Sequence, residues 1–301
     1  MFKGSITALV TPFKNQEVDW QAFDTLVERQ IENGTDGVVP CGTTGESPTL
    51  THDEHMRIVE RCVDVVKGRI PVIAGTGSNS TREAIDFTKH ALEAGVDAAL
   101  IVTPYYNKPT QEGLFAHYYT IASTVNIPII IYNIPGRSVI DMKPETMGRL
   151  AKESNIIGVK DATGDLSRVK KQLETCGPDF VQLSGEDGQI FDYLSEGGQG
   201  IISVTSNVVP HLCAELHDLW QAGDVDGARA MQDRLMPLHN ALFCETSPQS
   251  AKYALSKFGL CTEELRLPLL PASAEARVQV DNALESLHLE ADTNAPLKAH
   301  G

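Results

Sequence analysis

Lys160 has the most pointed chemistry in this chain. It closes the apolar run Ile156-Ile157-Gly158-Val159 and is followed by Asp161-Ala162-Thr163-Gly164. A compact run rich in β-branched residues and ended by a Thr-Gly turn reads as a short buried strand. A lysine at the end of such a strand projects its amine over the sheet edge, where apolar walls disfavour an ammonium. The neutral amine is the form that attacks a carbonyl carbon, so the placement suits a Schiff-base nucleophile. A lysine taken alone more often snorkels to solvent or pairs with a carboxylate, so its neighbours must decide.

Those neighbours lie at the ends of similar apolar runs. One ends in Thr103-Pro104-Tyr105-Tyr106-Asn107 and another in Tyr132-Asn133-Ile134-Pro135-Gly136-Arg137. A phenol at such a position can shuttle protons when a nearby cation, such as a lysine-derived iminium, makes it more acidic. Arg137 offers a planar fork of donors matched to a carboxylate. A third run leads into Cys41-Gly42-Thr43-Thr44-Gly45-Glu46-Ser47, where two glycines permit a tight turn and two hydroxyls add donors. Together they can form a nest for a small carboxylate or phosphate. The Gly-Lys-Ser/Thr ending of a phosphate P-loop is missing.

His52-Asp53-Glu54-His55 places its histidines three apart rather than in the H-E-x-x-H spacing, so a zinc site is not expected. Schiff-base chemistry needs no metal, and no cofactor is implied. Gly75-Thr76-Gly77 lacks a third glycine at Ser80, which leaves a dinucleotide reading weak.

The elements that must position these groups alternate from Ser5 onward. Strand candidates are Ile6–Val10, Gly37–Val39, Pro71–Ala74, Ala98–Val102, Pro128–Tyr132, Ile156–Lys160, Phe180–Leu183 and Gly200–Val204. Each is apolar throughout rather than alternating, as expected of parallel strands covered on both faces. Helical patterns fall between them at Trp20–Asn33, His52–Lys67, Arg82–Ala94, Glu112–Val125, Pro144–Glu153 and Leu166–Glu174. Thr51 with Glu54 makes a capping box, and Asn33-Gly34 and Ala94-Gly95 supply helix-ending glycines. The strand ends Thr11, Pro40, Ala74, Thr103, Tyr132, Lys160, Ser184 and Thr205 recur at intervals of 21 to 34 residues. Eight such units predict a closed (β/α)8 TIM barrel, with an open doubly wound sheet as the alternative. In a barrel, strand ends are where reactive groups gather.

Four further helical stretches follow, Pro210–Ala222, Val225–Phe243, Ser247–Phe258 and Ala274–Leu287. We therefore divide the chain into a barrel over 1–223, a C-terminal helical extension over 224–289 and a polar, disordered tail over 290–301.

The 301 residues suffice for an ample core, and 25 Lys and Arg against 40 Asp and Glu leave a formal charge of −15. A surface so acidic would be repelled by nucleic acid and by anionic membranes. No apolar run approaches the ~20 residues that span a bilayer, and Met1–Ser5 runs straight into a strand, so a cytoplasmic protein is expected. The six cysteines are scattered without a C-x-x-C, as reduced and mostly core residues would be.

Taken with Gly42–Glu46, Tyr132–Arg137 and Gly158–Gly164, the runs Leu183-Ser184-Gly185-Glu186-Asp187 and Gly200-Ile201-Ile202-Ser203-Val204 carry a resemblance from Ser5 to about Leu289. The chain resembles the pyruvate-dependent class I aldolase superfamily, and within it the synthases of the diaminopimelate route to lysine. The resemblance implies a lyase, assembled as a homotetramer, that condenses pyruvate with L-aspartate 4-semialdehyde. It implies an imine between pyruvate and Lys160 and a proton relay of Tyr132, Thr43 and Tyr106, with Tyr106 reaching a neighbouring subunit. Thr44 and the backbone of Ile202 would hold the pyruvate carboxylate, Gly185 would line the substrate site, and Arg137 would bind the semialdehyde. Ser47, His52, His55, Asn79, Glu83 and Tyr105 resemble the site where L-lysine exerts feedback inhibition in bacterial synthases. N-acetylneuraminate lyase or another sugar-acid aldolase or dehydratase is the alternative, and small or apolar residues usually stand there in place of Arg137. A catalytically silent barrel is a further reading, and it would be expected to have lost Lys160 or Tyr132.

Overall fold

Continuous apolar strands must be covered on both faces, and a ring of strands inside a ring of helices does this without leaving a sheet edge. The structure, a computed structural model, describes residues 2–288. The expected tail over 290–301 lies outside the described residues, as does Leu289 at the end of the expected extension. The barrel strands are β1 Gly4–Ala8, β2 Gly37–Val39, β3 Ile73–Gly75, β4 Ala98–Val102, β5 Ile129–Asn133, β6 Ile156–Asp161, β7 Val181–Ser184 and β8 Gly200–Ser203. Neighbours in sequence are neighbours in the sheet, all parallel, and β1 pairs with both β2 and β8. The last gap, between β2 and β3, is closed by a Val38 to Val72 bridge and by amides of Val38 and Gly75 donating to Pro71 and Pro40 at 3.0 Å. The (β/α)8 barrel expected from the repeat is thus the architecture observed.

The connecting helices are α1 Trp20–Glu32, α2 His52–Val66, α3 Thr81–Ala94, α4 Gln111–Thr124, α5 Pro144–Leu150, α6 Ser167–Cys176, α7 Ile190–Ser195 and α8 Pro210–Gln221. The Thr51 hydroxyl and the Glu54 carboxylate satisfy each other's amides in the expected capping box at α2. Gly95 ends α3 in the left-handed region at φ 85°, which a glycine adopts without strain. The crossover helix α7 has only six residues, in keeping with the short spacing between the last two strands.

Some boundaries differ from the sequence pattern for identifiable reasons. β1 starts at Gly4 rather than Ile6, since Gly4 and Ser5 register with Gly200 and Ile201, and Val10 has left the sheet to donate to Asn207 Oδ1. The expected helix from Ser247 starts instead at Gln249, after Pro248. The run Phe13–Val18 forms a short antiparallel hairpin that the apolar pattern does not signal, turning at Asn15 and Gln16 with φ 54° and 64°. Residues at two positive φ values match the twist of a tight hairpin.

Side chains inside the ring, among them Ile6, Val39, Ile73, Leu100, Ile130 and Leu183, form one apolar cluster. A larger one lies between strands and helices. Helices α9 Val225–Leu242, α10 Gln249–Lys257 and α11 Ala274–Ser286 complete the described chain. They bury Leu235, Leu238, Ala254 and Val280 against Val169 of α6, Ile190 of α7 and Leu212 of α8. All six cysteines are free thiols; Cys41, Cys62 and Cys213 are buried and Cys244 is exposed. No helix among the described residues is long and apolar enough to cross a membrane.

Burial also disfavours charging three histidines, His55, His117 and His217, and lowers each imidazole pKa from 6.5 to about 4. Between those values the unfolded chain binds protons there that the folded chain does not, so stability falls as pH falls. Thermal melts should show the midpoint dropping steadily from about pH 6.5 to about pH 4. A midpoint that is flat across that window would show that these histidines are hydrated in solution.

Candidate active site

Parallel pairing puts Tyr132 of β5 in register with Lys160 of β6, so both side chains leave the sheet on the same face. That face is the barrel interior, where Tyr132 packs in the cluster that includes Ala162 and Ile202. The Lys160 Nζ lies 4.3 Å from the centre of the Tyr132 ring, and the two residues are 5% and 6% exposed. An amine so enclosed, with a phenol beside it, can add to a small carbonyl compound and exchange protons locally.

Gly185, just past β7, makes the space the lysine needs. A Cβ there would stand 2.6 Å from Ala162 Cβ and 3.2 Å from Lys160 Cε. The next residue, Glu186, is a titratable neighbour of the lysine that the sequence reading assigned no role. Burial pushes its carboxyl pKa up, Asp187 adds to the rise, and the Lys160 charge opposes it.

The next residues along the two strands, Asn133 and Asp161, face the other way and are tied together behind the sheet. Asp161 accepts from Thr163 N and Oγ1 at 2.9 and 2.6 Å, from Arg168 Nε at 3.0 Å and from Gln172 Nε2 at 2.6 Å. Arg168 also donates to Asp141 at 3.0 Å, and Asp141 accepts from Asn133 Nδ2 at 2.7 Å. One guanidinium thus braces both strands that carry the amine and the phenol. Sequence reasoning passed over Arg168, Asp141 and Gln172; an Asp directly after the lysine, with an Arg on the following helix, is the signal that was there.

In the loop after β2, Thr44 is buried and Thr43 is half-buried. The Gly45 carbonyl accepts from Thr11 Oγ1 at 2.7 Å, and the Gly45 and Glu46 amides turn back onto Gly42 and Thr43. The amides of Thr43 and Thr44 donate to no acceptor among the described residues, which leaves them for an anion. Ile202 of β8 is fully buried. Two expected site residues are not drawn in. Tyr106, at φ 71°, is 88% exposed, and Arg137 is exposed with its guanidinium donating to the Ser247 carbonyl at 3.2 Å.

A separate pocket of about 160 Å³ gathers Ser47, His52, His55, Glu83 and Tyr105, with Pro48 and Phe87 among its walls. Glu83 accepts from Ser78 Oγ at 2.5 Å and faces His52 Nε2 at 2.9 Å. His55 stacks on Phe87 and reaches the Gly75 carbonyl at 2.8 Å. Burial and the Glu83 charge raise the Tyr105 phenol pKa. Asn79 stands at the edge, its amide donating to the Tyr105 carbonyl at 3.2 Å. Among the described residues no group of three or more His, Cys, Asp or Glu side chains is arranged to hold a metal ion.

A (β/α)8 barrel with an enclosed lysine at the end of its sixth strand, beside a tyrosine from the fifth, defines a lyase of the class I aldolase type. The chain belongs to the dihydrodipicolinate synthetase family, whose model matches residues 1–287. The 4-hydroxy-tetrahydrodipicolinate synthase of Rhodospirillum centenum is 59% identical over 284 residues, covering 94% of this chain and 98% of that protein. Among solved structures, the chloride-inhibited dihydrodipicolinate synthase of Acinetobacter baumannii, complexed with pyruvate, is 45% identical with a TM-score of 0.93, covering 95% of this chain and 99% of that one. The synthase of Cyanidioschyzon merolae with lysine bound is 39% identical with a TM-score of 0.92, covering 95% and 98%. These likenesses favour the synthase over the sugar-acid lyases.

Gly185→Ala is expected to cost about 1–3 kcal/mol, because the close contacts force the wall to shift. It should also displace the lysine chain, so that borohydride trapping of an imine at Lys160 is slower than in the wild type at matched folded fraction. Trapping at the wild-type rate would show that the lysine does not depend on that clearance.

Proposed function

We propose that this chain condenses pyruvate with L-aspartate 4-semialdehyde through a Schiff base, on the diaminopimelate route to lysine. The observation that carries the proposal is the enclosed Lys160 amine 4.3 Å from the Tyr132 ring. The Lys160 nitrogen attacks the pyruvate carbonyl carbon and water leaves, giving an iminium. That cation withdraws electrons from the adjacent methyl carbon, which gives up a proton and becomes a nucleophilic enamine. The enamine carbon bonds to the aldehyde carbon of the second substrate, and the aldehyde oxygen takes up a proton. The amino group of that substrate then adds to the imine carbon and displaces the Lys160 amine as the ring closes.

The protons in these steps need a relay, which we assign to Tyr132, Thr43 and Tyr106. The exposure of Tyr106 supports its use by a neighbouring subunit of a homotetramer, since within its own chain it faces solvent. Thr44, the free loop amides and the Ile202 backbone are assigned to the pyruvate carboxylate. Gly185 lines the space above the lysine, and Arg137 is assigned to the semialdehyde carboxylate. The pocket of Ser47, His52, His55, Glu83 and Tyr105, with Asn79 at its rim, is assigned to L-lysine as inhibitor. Glu83 would exchange His52 for the ligand's ammonium. The pyruvate and lysine complexes of the relatives support these two ligands.

Pyruvate with borohydride should add a reduced pyruvyl group to Lys160, seen by peptide mass, and Lys160→Ala should abolish it. Arg137→Ala should leave trapping intact while raising KM for the semialdehyde by about tenfold or more, the pattern of lost binding to the second substrate. An unmodified Lys160 would remove the proposal. Glu83→Ala should keep catalysis while weakening lysine inhibition by at least about tenfold, an ammonium having lost its partner. Full sensitivity in that variant would place the inhibitor elsewhere.

A further inference from the structure

Glu46, two residues after Thr44 and one before Ser47, carries the most deeply buried ion pair in the described chain. Its Oε1 lies 2.5 Å from the Lys252 Nζ of α10, and the two side chains are 1% and 0% exposed. The ammonium also donates to the Glu264 carbonyl at 2.8 Å and sits 4.2 Å above the Phe13 ring. The second carboxylate oxygen accepts from the Arg266 amide at 3.1 Å. Arg266 continues the link, gripping Glu54 of α2 at 2.7 and 2.6 Å and the Thr49 carbonyl at 3.0 Å. Glu46 itself is held in the left-handed region at φ 55°, a conformation that costs a non-glycine residue energy and persists only where its surroundings impose it.

A buried ion pair adds little net stability relative to apolar groups of the same shape, because both ions lose their hydration. What it does supply is position, since removing either partner leaves an uncompensated charge. Here the position supplied is that of the loop after β2, which carries the anion-binding threonines before the anchor and two residues of the second pocket after it. Thr43 and Thr44 precede the anchor, and Ser47 and Pro48, which line the second pocket, follow it. Glu54 lies between His52 and His55 on α2, the helix that contributes both histidines to that pocket.

We infer that Glu46 and Lys252 are positioning residues that fix the Thr43–Thr44 loop for pyruvate and Ser47–Pro48 for the effector. The C-terminal helices, far from the reacting atoms in sequence, thereby set pyruvate affinity and lysine response together. The inference rests on the proposed roles of Thr44 and of the second pocket.

The test compares the wild-type oligomer with Lys252→Met and with the neutral pair Glu46→Gln/Lys252→Met. Readouts are the thermal midpoint, the pyruvate concentration that half-saturates borohydride trapping at Lys160, steady-state kinetics and lysine inhibition. The single variant should be the less stable, with a lone carboxylate buried, and where it does not fold the neutral pair carries the test. The neutral pair should fold with a midpoint near that of the wild type. Its half-saturating pyruvate should rise by about tenfold with kcat changed by less than about threefold, as expected when binding geometry and not chemistry is lost. Lysine inhibition should weaken in the same variant. A folded neutral pair with wild-type half-saturation and lysine response would overturn the inference and leave the ion pair a purely structural contact. Failure of the wild type itself to be trapped would instead count against the pyruvate assignment.

Discussion

Residue-for-residue pairing of two parallel strands is the constraint on which the site depends. Once β5 and β6 are in register, Tyr132 and Lys160 must emerge together on the interior face, and Asn133 and Asp161 together on the outer one. A slip of one residue would send the amine and the phenol to opposite sides of the sheet. The barrel makes such a slip costly, because closure ties each strand to two others and leaves no free edge to absorb it.

The polar groups behind the sheet reinforce that choice. Asp161 spends its acceptor capacity on Thr163, Arg168 and Gln172, and Arg168 reaches on to Asp141 and so to Asn133. A network of this kind is satisfied in one register only, so it adds specificity even where its net contribution to stability is small. On the inner face the opposite strategy applies. There the lysine meets the Tyr132 ring, apolar walls and the gap left by Gly185.

The same economy of means appears at the loop after β2. One short segment, Thr43 to Pro48, follows β2 and ends at the second pocket, and a buried carboxylate in its middle is fastened to α10 and to the Arg266 amide beyond it. The C-terminal extension therefore does more than cover α6 to α8 with apolar side chains. Its Lys252 and Arg266 reach back across the Phe13 ring of the early hairpin to Glu46 and Glu54.

Local regularities made the barrel legible from sequence alone: apolar runs of strand length at recurring intervals, helix caps such as Thr51 with Glu54, and glycines at helix ends. Lys160, Tyr132 and the Gly42–Glu46 turn stood out because their chemistry is uncommon at strand ends and the barrel concentrates strand ends at one mouth. The approach of Lys160 to within 4.3 Å of the Tyr132 ring follows from the topology, which pairs their two strands. The hairpin at Phe13–Val18 was not legible, since two-residue strands carry no period. Neither was the pairing of Glu46 with Lys252, which are 206 residues apart. No local pattern marks a buried ion pair, because either residue alone looks like an ordinary surface charge. Only the packing of α10 against the barrel takes both out of water and makes each the other's necessary partner.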